Sequence, residues 1–397
     1  IEYHNRWNIM QNAYLAHHAE QIKTILSALP RGATEQQHEF VRQFYARVMT
    51  PELERMDPDH AVSVALSAYE FMEKYTPGEA NVRVTAHPKR ASATVEILND
   101  DMPFLVDSIT VELTRHGFSL RETFHPIFKV KRGAKGQMLA LAASKEMSTE
   151  FKPESFMHFE ISALPEGMSA RQLEDDLGWV LKHIRVAVED WRKIVSKVET
   201  TVRDLRHARA HHNEANVQEV EDFLNWLVER NFVFLGYAEY NFTGGKGKES
   251  FSSASGSKLG ILKIADEITA AGVDTMPPEI SHFMRSSQLL EISKSSRRSP
   301  VHRAVPMDMI GVKRYDTKGR AIGEARIVGL FTSNVYYQSG DQIPLVRKKI
   351  AEVLDRSNFA PVSHDGKSLK AILEFLPRDE IFQMSEDDLF EISMGIL

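Results

Sequence analysis

The apolar residues of this 397-residue chain change their spacing at Asn81. That switch constrains the fold more than any other feature, because a helix repeats its buried face about every 3.6 residues and a strand every two. Upstream the spacing is helical. Ile9, Ala13, Ala16, Ile22, Ile25 and Leu26 share one face of a segment from Asn8 to Leu29, which Pro30-Arg31-Gly32 ends. Thr34-Glu35-Gln36-Gln37 has the form of a capping box and opens a second helix through Phe40, Val41, Phe44 and Val48. Pro51 interrupts it, and Asp57-Pro58-Asp59 opens a third helix that Pro77-Gly78 closes.

Downstream the period is two. Val82 and Val84, then Ala93 to Leu98, predict strands. A turn at Asn99-Asp100-Asp101-Met102-Pro103 leads into a helix carrying Leu105, Ile109 and Leu113, which ends at His116-Gly117. A strand from Ser119 to Val130, a turn at Arg132 to Gly136, a strand at Phe156 to Ile161 and a long helix from Ser169 follow. The order β-α-β-β-α is that of a ferredoxin-like α+β unit, although no closing strand follows the long helix, which continues to about His212. A helix over Val217 to Glu229 precedes five expected strands, at 232–240, 259–264, 289–292, 309–315 and 325–331, which predict a second α+β domain with an antiparallel sheet. Asn241 to Lys258 is expected as a loop and Ile280 to Met284 as a helical turn. Helices are expected at 345–355, 368–375 and beyond. The expected division is a helical region at 1–80, the ferredoxin-like domain with its extended helix at 81–212, a second α+β domain at 213–344, and a helical start of a further module at 345–397.

Composition removes several function classes. The formal net charge is −6, so nucleic acid is not expected as a partner, since phosphate binding needs clustered positive charge. There are no cysteines, which excludes disulfides, thiolate metal sites and cysteine nucleophiles and fits a reducing compartment. No apolar run approaches the roughly 18 residues of a membrane span. Ile1 in place of Met, and the apolar end Met394-Gly395-Ile396-Leu397, predict a piece of a longer protein.

Residues with chemical potential each have a plainer explanation. Asn99-Asp100-Asp101 can orient an amino group or cap the helix that follows. His207 and His211 lie four apart on one helical face, but no third metal ligand follows, and no metal site is expected. Lys294 to Arg303 is the densest basic stretch; a solvated linker explains it as well as a phosphate site does. Gly244-Gly245-Lys246-Gly247-Lys248 matches neither phosphate-loop nor dinucleotide spacing. No hydrolase elbow, zinc-protease or dinucleotide fingerprint occurs, and no catalytic residue is assigned.

Several segments resemble one family. They are Asn99 to Ile109, Glu154 to Ile161, Phe223 to Leu227, Asn231 to Tyr237 and Leu376-Pro377-Arg378-Asp379-Glu380. Together they resemble the N-terminal region of the large bacterial NAD-specific glutamate dehydrogenases. The resemblance implies an ACT-like domain at the ferredoxin-like unit, a PAS-like second domain, and a regulatory or assembly role in a cytoplasmic homo-oligomer. NAD would then be bound elsewhere in the full-length enzyme, with no cofactor in this chain. A common ACT turn reads Asp-x-Pro-Gly-Leu-Leu-x-x-Ile; Asp101, Pro103, Leu105 and Ile109 match it, Val106 replaces the second Leu, and Phe104 stands where Gly is usual. By that likeness Asn99, Asp100, Asp101, Met102, Pro103, Phe104 and Leu105 form the expected effector site, for an amino-acid effector. The alternative is a structural module that makes subunit contacts through its sheet edge and binds no effector; the bulk of Phe104 favours it.

Overall fold

The computed structural model describes residues 2–143, 146, 148–243, 250–264, 283 and 286–397, with side chains from residue 14 onward except at 243, 250 and 251. Ile9 and Ala13 are among the side chains outside that set, and the expected turn at Ile280 to Met284, apart from Phe283, and the stretch 244–248 also lie outside the described residues. The chain forms two units, Ile1–Lys182 and His183–Leu397. Among the described residues no helix is long and apolar enough to cross a membrane.

The first unit opens with helices α1 (Glu2–Ser27), α2 (Glu35–Tyr45), α3 (Thr50–Leu53) and α4 (Pro58–Met72). Thr34 makes the expected capping box with Gln37, and Asp57 caps α4 through the His60 amide. Removing the Thr34 hydroxyl (Thr34→Ala) should cost about 1 kcal/mol, measured by urea unfolding; an unchanged midpoint would show that the box adds nothing here.

Strands β1 (Asn81–His87), β2 (Ser92–Asp100), β3 (Leu120–Phe124), β4 (Ile127–Arg132), β5 (Met138–Leu141) and β6 (Lys152–Ser162) follow, with α5 (Leu105–Arg115) after β2. All pairings are antiparallel, in the order β1-β2-β6-β4-β5, with β3 beside β6. The strand expected at 119–130 is broken at His125-Pro126 into β3 and β4, which lie end to end along β6. Proline lacks the N–H a ladder needs, so the strand bends there. β5 was not legible, being four residues long.

The missing closing strand of the ferredoxin-like order has an explanation. β1, which precedes the unit in sequence, pairs with β2 and takes the edge that a strand after the long helix would fill. The chain is thereby free to run on as one helix, α6 (Ala170–Leu205).

Both faces of this sheet are covered, which is why β6 is buried almost without alternation. Leu98, Phe124, Phe128, Val130 and Phe156 share one core with Phe40, Phe44 and Tyr45 of α2 and Ala61, Ala65, Ala68 and Met72 of α4. The alternate residues Met157, Phe159 and Ile161 point to the other face and are also fully buried, as are Leu105, Ile109 and Leu113 of α5.

The second unit adds α7 (Glu214–Trp226) and strands β7 (Phe232–Thr243), β8 (Ser250–Ser253), β9 (Leu259–Gly260), β10 (Leu290–Arg298), β11 (Pro306–Tyr315) and β12 (Ala321–Phe331). They form an antiparallel sheet in the order β10-β11-β12-β7-β8, with β9 also on β7. β8 lies in the segment expected as a loop, and the third expected segment is only two residues of strand before a helical turn at Ile261–Lys263. Helices α8 (Asn334–Tyr337), α9 (Val346–Arg356), α10 (His364–Phe375), α11 (Arg378–Gln383) and α12 (Glu386–Ile396) end the chain. Val346, Ile350, Leu369, Leu373, Phe382 and Leu389 from these helices join Phe223, Phe232, Ile327 and Phe331 in a single core.

One buried carboxylate ties α6 to this sheet region. Asp190 accepts from the Gly260 amide at 2.9 Å and pairs with Lys193 and Lys263. Gly260 sits at φ 60, and a Cβ there would lie 2.1 Å from the Leu235 carbonyl oxygen, so only glycine fits. Burial by itself would raise the Asp190 pKa, but the bonds from Lys263, Gly260 and Lys193 outweigh it and hold the carboxyl below its usual range. A depressed folded-state pKa means stability that is present above the unfolded value, about 3.9, and lost as pH falls through the folded one. Asp190→Asn should therefore flatten the acid limb of the stability curve below about pH 4. An acid limb identical to that of the parent would refute the assignment.

Candidate functional site

The expected effector residues run from the end of β2 (Asn99, Asp100) through a turn into the first residue of α5 (Leu105). Asn99 is buried and its side-chain amide donates to the Asp100 carbonyl at 2.8 Å. The Asp100 carboxylate accepts from the Gly78 amide at 3.0 Å, anchoring the turn to the segment after α4. The Asp101 amide donates to the Pro153 carbonyl at 3.2 Å, just beyond the β2–β6 pairs. Asp101 and Pro103 are exposed, Met102 and Phe104 half-buried, and Leu105 buried.

The N-cap of α5 is Phe104, at φ 73 and ψ −2, and its side chain makes no capping hydrogen bond. The geometry also explains why the ACT turn usually carries glycine at this place: the backbone is left-handed, a region that costs L-residues roughly 1–2 kcal/mol. Phe104 keeps that conformation while its carbonyl accepts from both the amide (3.0 Å) and the hydroxyl (2.6 Å) of Ser108. His125, at the break between β3 and β4, also belongs to this region. Its pKa is lowered, first by burial and further by Arg47, against an opposing pull from Asp101, and its Nε2 lies 2.7 Å from Ser155 Oγ. Sequence reasoning missed it because its proximity depends on strand pairing.

The other sequence candidates serve structure. His211 Nε2 lies 3.3 Å from the Lys318 carbonyl, and His212 Nε2 lies 3.2 Å from the Tyr315 hydroxyl. Among the described residues no three side chains of metal-binding type are grouped. The basic stretch is not a linker: Lys294 to Arg298 belong to β10. Lys294 pairs with Asp308 at 2.7 Å and Asp379 at 3.3 Å, and Arg298 and Arg303 donate to the carbonyls of Ala304 and Phe331.

A cleft of about 650 Å³ opens in the first unit, on the face of the sheet that α4 covers, and none of residues 99–105 lines it. Its floor consists of two rows of side chains that run across the strands. In one, Glu96 and His158 are direct neighbours on β2 and β6; in the other, Thr85, Thr94, Glu160 and Glu122 follow on β1, β2, β6 and β3, and Lys89 and Arg90 also line the cleft. Alternation within each strand was visible in the sequence, but register across strands was not.

Comparison with known proteins agrees with this architecture. Residues 40–177 match the glutamate dehydrogenase ACT1 domain, and residues 343–397 match glutamate dehydrogenase helical motif 1. The NAD-specific glutamate dehydrogenase of Halomonas elongata is 31% identical over 95% of this chain and 24% of its own length. That of Pseudomonas aeruginosa is 32% identical over 90% of this chain and 22% of its own length. That of Mycobacterium tuberculosis is 23% identical over 78% of this chain and 18% of its own length. The chain thus spans about a quarter of the length of the relatives it matches.

Proposed function

Because this chain belongs to the NAD-specific glutamate dehydrogenase family, we propose that it is a regulatory and assembly portion of such an enzyme, with no active site of its own. The whole enzyme would be a cytoplasmic homo-oligomer that converts L-glutamate, NAD and water to 2-oxoglutarate, ammonia and NADH, with the NAD and glutamate sites outside this chain. The domain at 213–344, with its antiparallel sheet, would be the PAS-like module.

One observation carries the regulatory reading. The ACT1 match coincides with a ferredoxin-like sheet whose turn at Asp101 to Leu105 delivers the N-terminus of a helix, with a Phe104 N-cap whose side chain offers its amides no acceptor. The first amides of such a helix favour an anionic group, so the carboxylate of an amino-acid effector is the expected guest. Asn99, Asp100 and Asp101 would meet its amino group, with Met102, Pro103, Phe104 and Leu105 shaping the turn. An effector acts only through its preference for one arrangement of the enzyme.

Calorimetric titration of this chain with the common amino acids tests the reading. Saturable heat for one of them is expected, and it should weaken at least tenfold in Asp101→Asn, whose exposed side chain folding does not need. Phe104→Gly should leave stability within about 1 kcal/mol, because relief of the left-handed strain offsets the lost ring burial, while Phe104→Val should cost more. Silence from every amino acid would leave the assembly role. The half-buried Phe104, filling the place of a glycine, favours that second reading. Light scattering checks it: a strict monomer at high concentration would count against assembly through this chain.

A further inference from the structure

The sheet of the second unit ends in an uncovered edge. Among the described residues β10 pairs with β11 alone. The Lys313 amide donates to the Leu289 carbonyl at 2.9 Å, so Leu289 and Lys313 are a hydrogen-bonded pair, and by alternation so are Glu291 and Gly311. Leu290 and Ile292 therefore turn their amides and carbonyls away from β11, and among the described residues nothing bonds to them. Natural edges are commonly blocked by proline, by a charge or by a covering group. The edge strand β1 of the first sheet has such a cover, since Glu174 accepts from the Val84 amide at 2.9 Å. Leu290 to Ile292 contains neither proline nor lysine. The next lysine, Lys294, is held by Asp308 at 2.7 Å and Asp379 at 3.3 Å.

A groove of about 580 Å³ runs along this edge. Residues 287–292 line it without a gap, as a backbone edge does and one face of a strand does not. Residues 382–386, the link between α11 and α12, form another wall. That wall is pinned: Lys349 Nζ donates to the carbonyls of Ile381 and Phe382 at 2.9 Å each and of Met384 at 2.6 Å. Val220, Leu345, Phe382 and Met384 give the groove an apolar lining that belongs to the core of the unit.

We propose that the edge of β10 takes up, as an added strand in this groove, an extended segment of the same enzyme from the part of its length outside this chain. An open row of N–H and C=O groups is matched by another extended backbone, and the apolar lining receives every second side chain of such a strand. This chain spans 24% and 22% of the length of two relatives, so most of such an enzyme is available to supply the segment. Carriage on one polypeptide makes the pairing intramolecular and raises the effective concentration of a strand that would pair weakly when free. Such a partner exists only if this chain is a portion of a longer enzyme, as proposed above; the turn at 99–105 plays no part in it.

Hydrogen exchange at the Leu290 and Ile292 amides, resolved by fragmentation mass spectrometry, is compared between this chain and the full-length enzyme. Both amides should exchange at least tenfold more slowly in the full-length enzyme. Overlapping peptides that tile the rest of the enzyme are then titrated into this chain. One of them, apolar at alternate positions, should bind saturably and slow the same two amides. N-methylation of its β10-facing amides should weaken binding tenfold or more, and N-methylation of the intervening ones much less. Ile292→Pro, which removes one outward amide that the ladder to β11 does not use, should bind that peptide at least tenfold more weakly. Equal exchange in the two proteins, no tiled peptide that slows these amides, or parental affinity in Ile292→Pro overturns the pairing and leaves the reading as a portion of an enzyme intact. Slowing in this chain alone as its concentration rises overturns it as well, and assigns the edge to a second copy. A natural polypeptide no longer than this chain would instead sink the portion reading, and the pairing with it.

Discussion

Arg132→Ala is expected to destabilise the first unit by about 3–5 kcal/mol, the range for removing one partner of a buried ion pair. Arg132 and Glu154 side chains are 7% and 2% exposed, and the two meet in a double contact of 2.9 Å from Nε and 2.7 Å from Nη2. The remaining nitrogen of the fork, Nη1, donates to the carbonyls of Met72 (2.7 Å) and Gly136 (3.1 Å), and the guanidinium lies over the Tyr75 ring. One side chain therefore joins β4, β6 and the end of α4. Alanine would leave the Glu154 charge buried without a counter-charge and take the Arg132 donor from the Met72 and Gly136 carbonyls, of which Gly136 keeps the Tyr75 amide at 2.9 Å. The double variant Arg132→Met with Glu154→Leu removes both charges and should be more stable than Arg132→Ala. Urea unfolding followed by hydrogen exchange in residues 152–162 measures both. A loss under about 1 kcal/mol, or a double variant weaker than the single one, would contradict this account.

Phe44→Ala should be comparably severe, about 3–5 kcal/mol. The ring is 1% exposed. It packs against Phe40 and Tyr45 of its own helix at 5.8 and 4.9 Å, and against Phe124 and Phe156 of the sheet at 5.8 Å each. A cavity at this point removes contacts from both layers at once, and aromatic pairs of this kind add to the area they bury. Exchange should therefore quicken in α2 and β6 together. Faster exchange in α2 with β6 unchanged would show that the helices and the sheet do not share their stability.

Much of the first unit was legible because its signals are local. The Thr34 box, the Asp57 cap, the helical end at Gly117 and the strand-turn-helix order each depend on residues a few positions apart. The turn from Asp101 into α5 was legible as a turn for the same reason, down to the anomaly of Phe104, though its backbone angle was not. β5 and β8 escaped because four-residue strands have too little alternation to register. The basic stretch was misjudged because its partners Asp308 and Asp379 are far away in sequence. The cleft was invisible for a related reason. His158, Glu160 and Glu122 look like ordinary polar positions until β3 and β6 are laid side by side.

The sequence by itself determined most of the helices and the longer strands, the mixed α+β class, and the family to which the chain belongs. Those properties follow from period, capping and turn chemistry, which act over one or two turns of chain. Only the tertiary structure decided that β1 completes the sheet in place of a final strand, that the amino-terminal helices close one of its faces, and that two rows of charged side chains meet inside a cleft. Pairing register is the physical reason. A slip of one residue would turn every side chain of a strand to the opposite face, and what fixes it is the burial of distant apolar residues against one another.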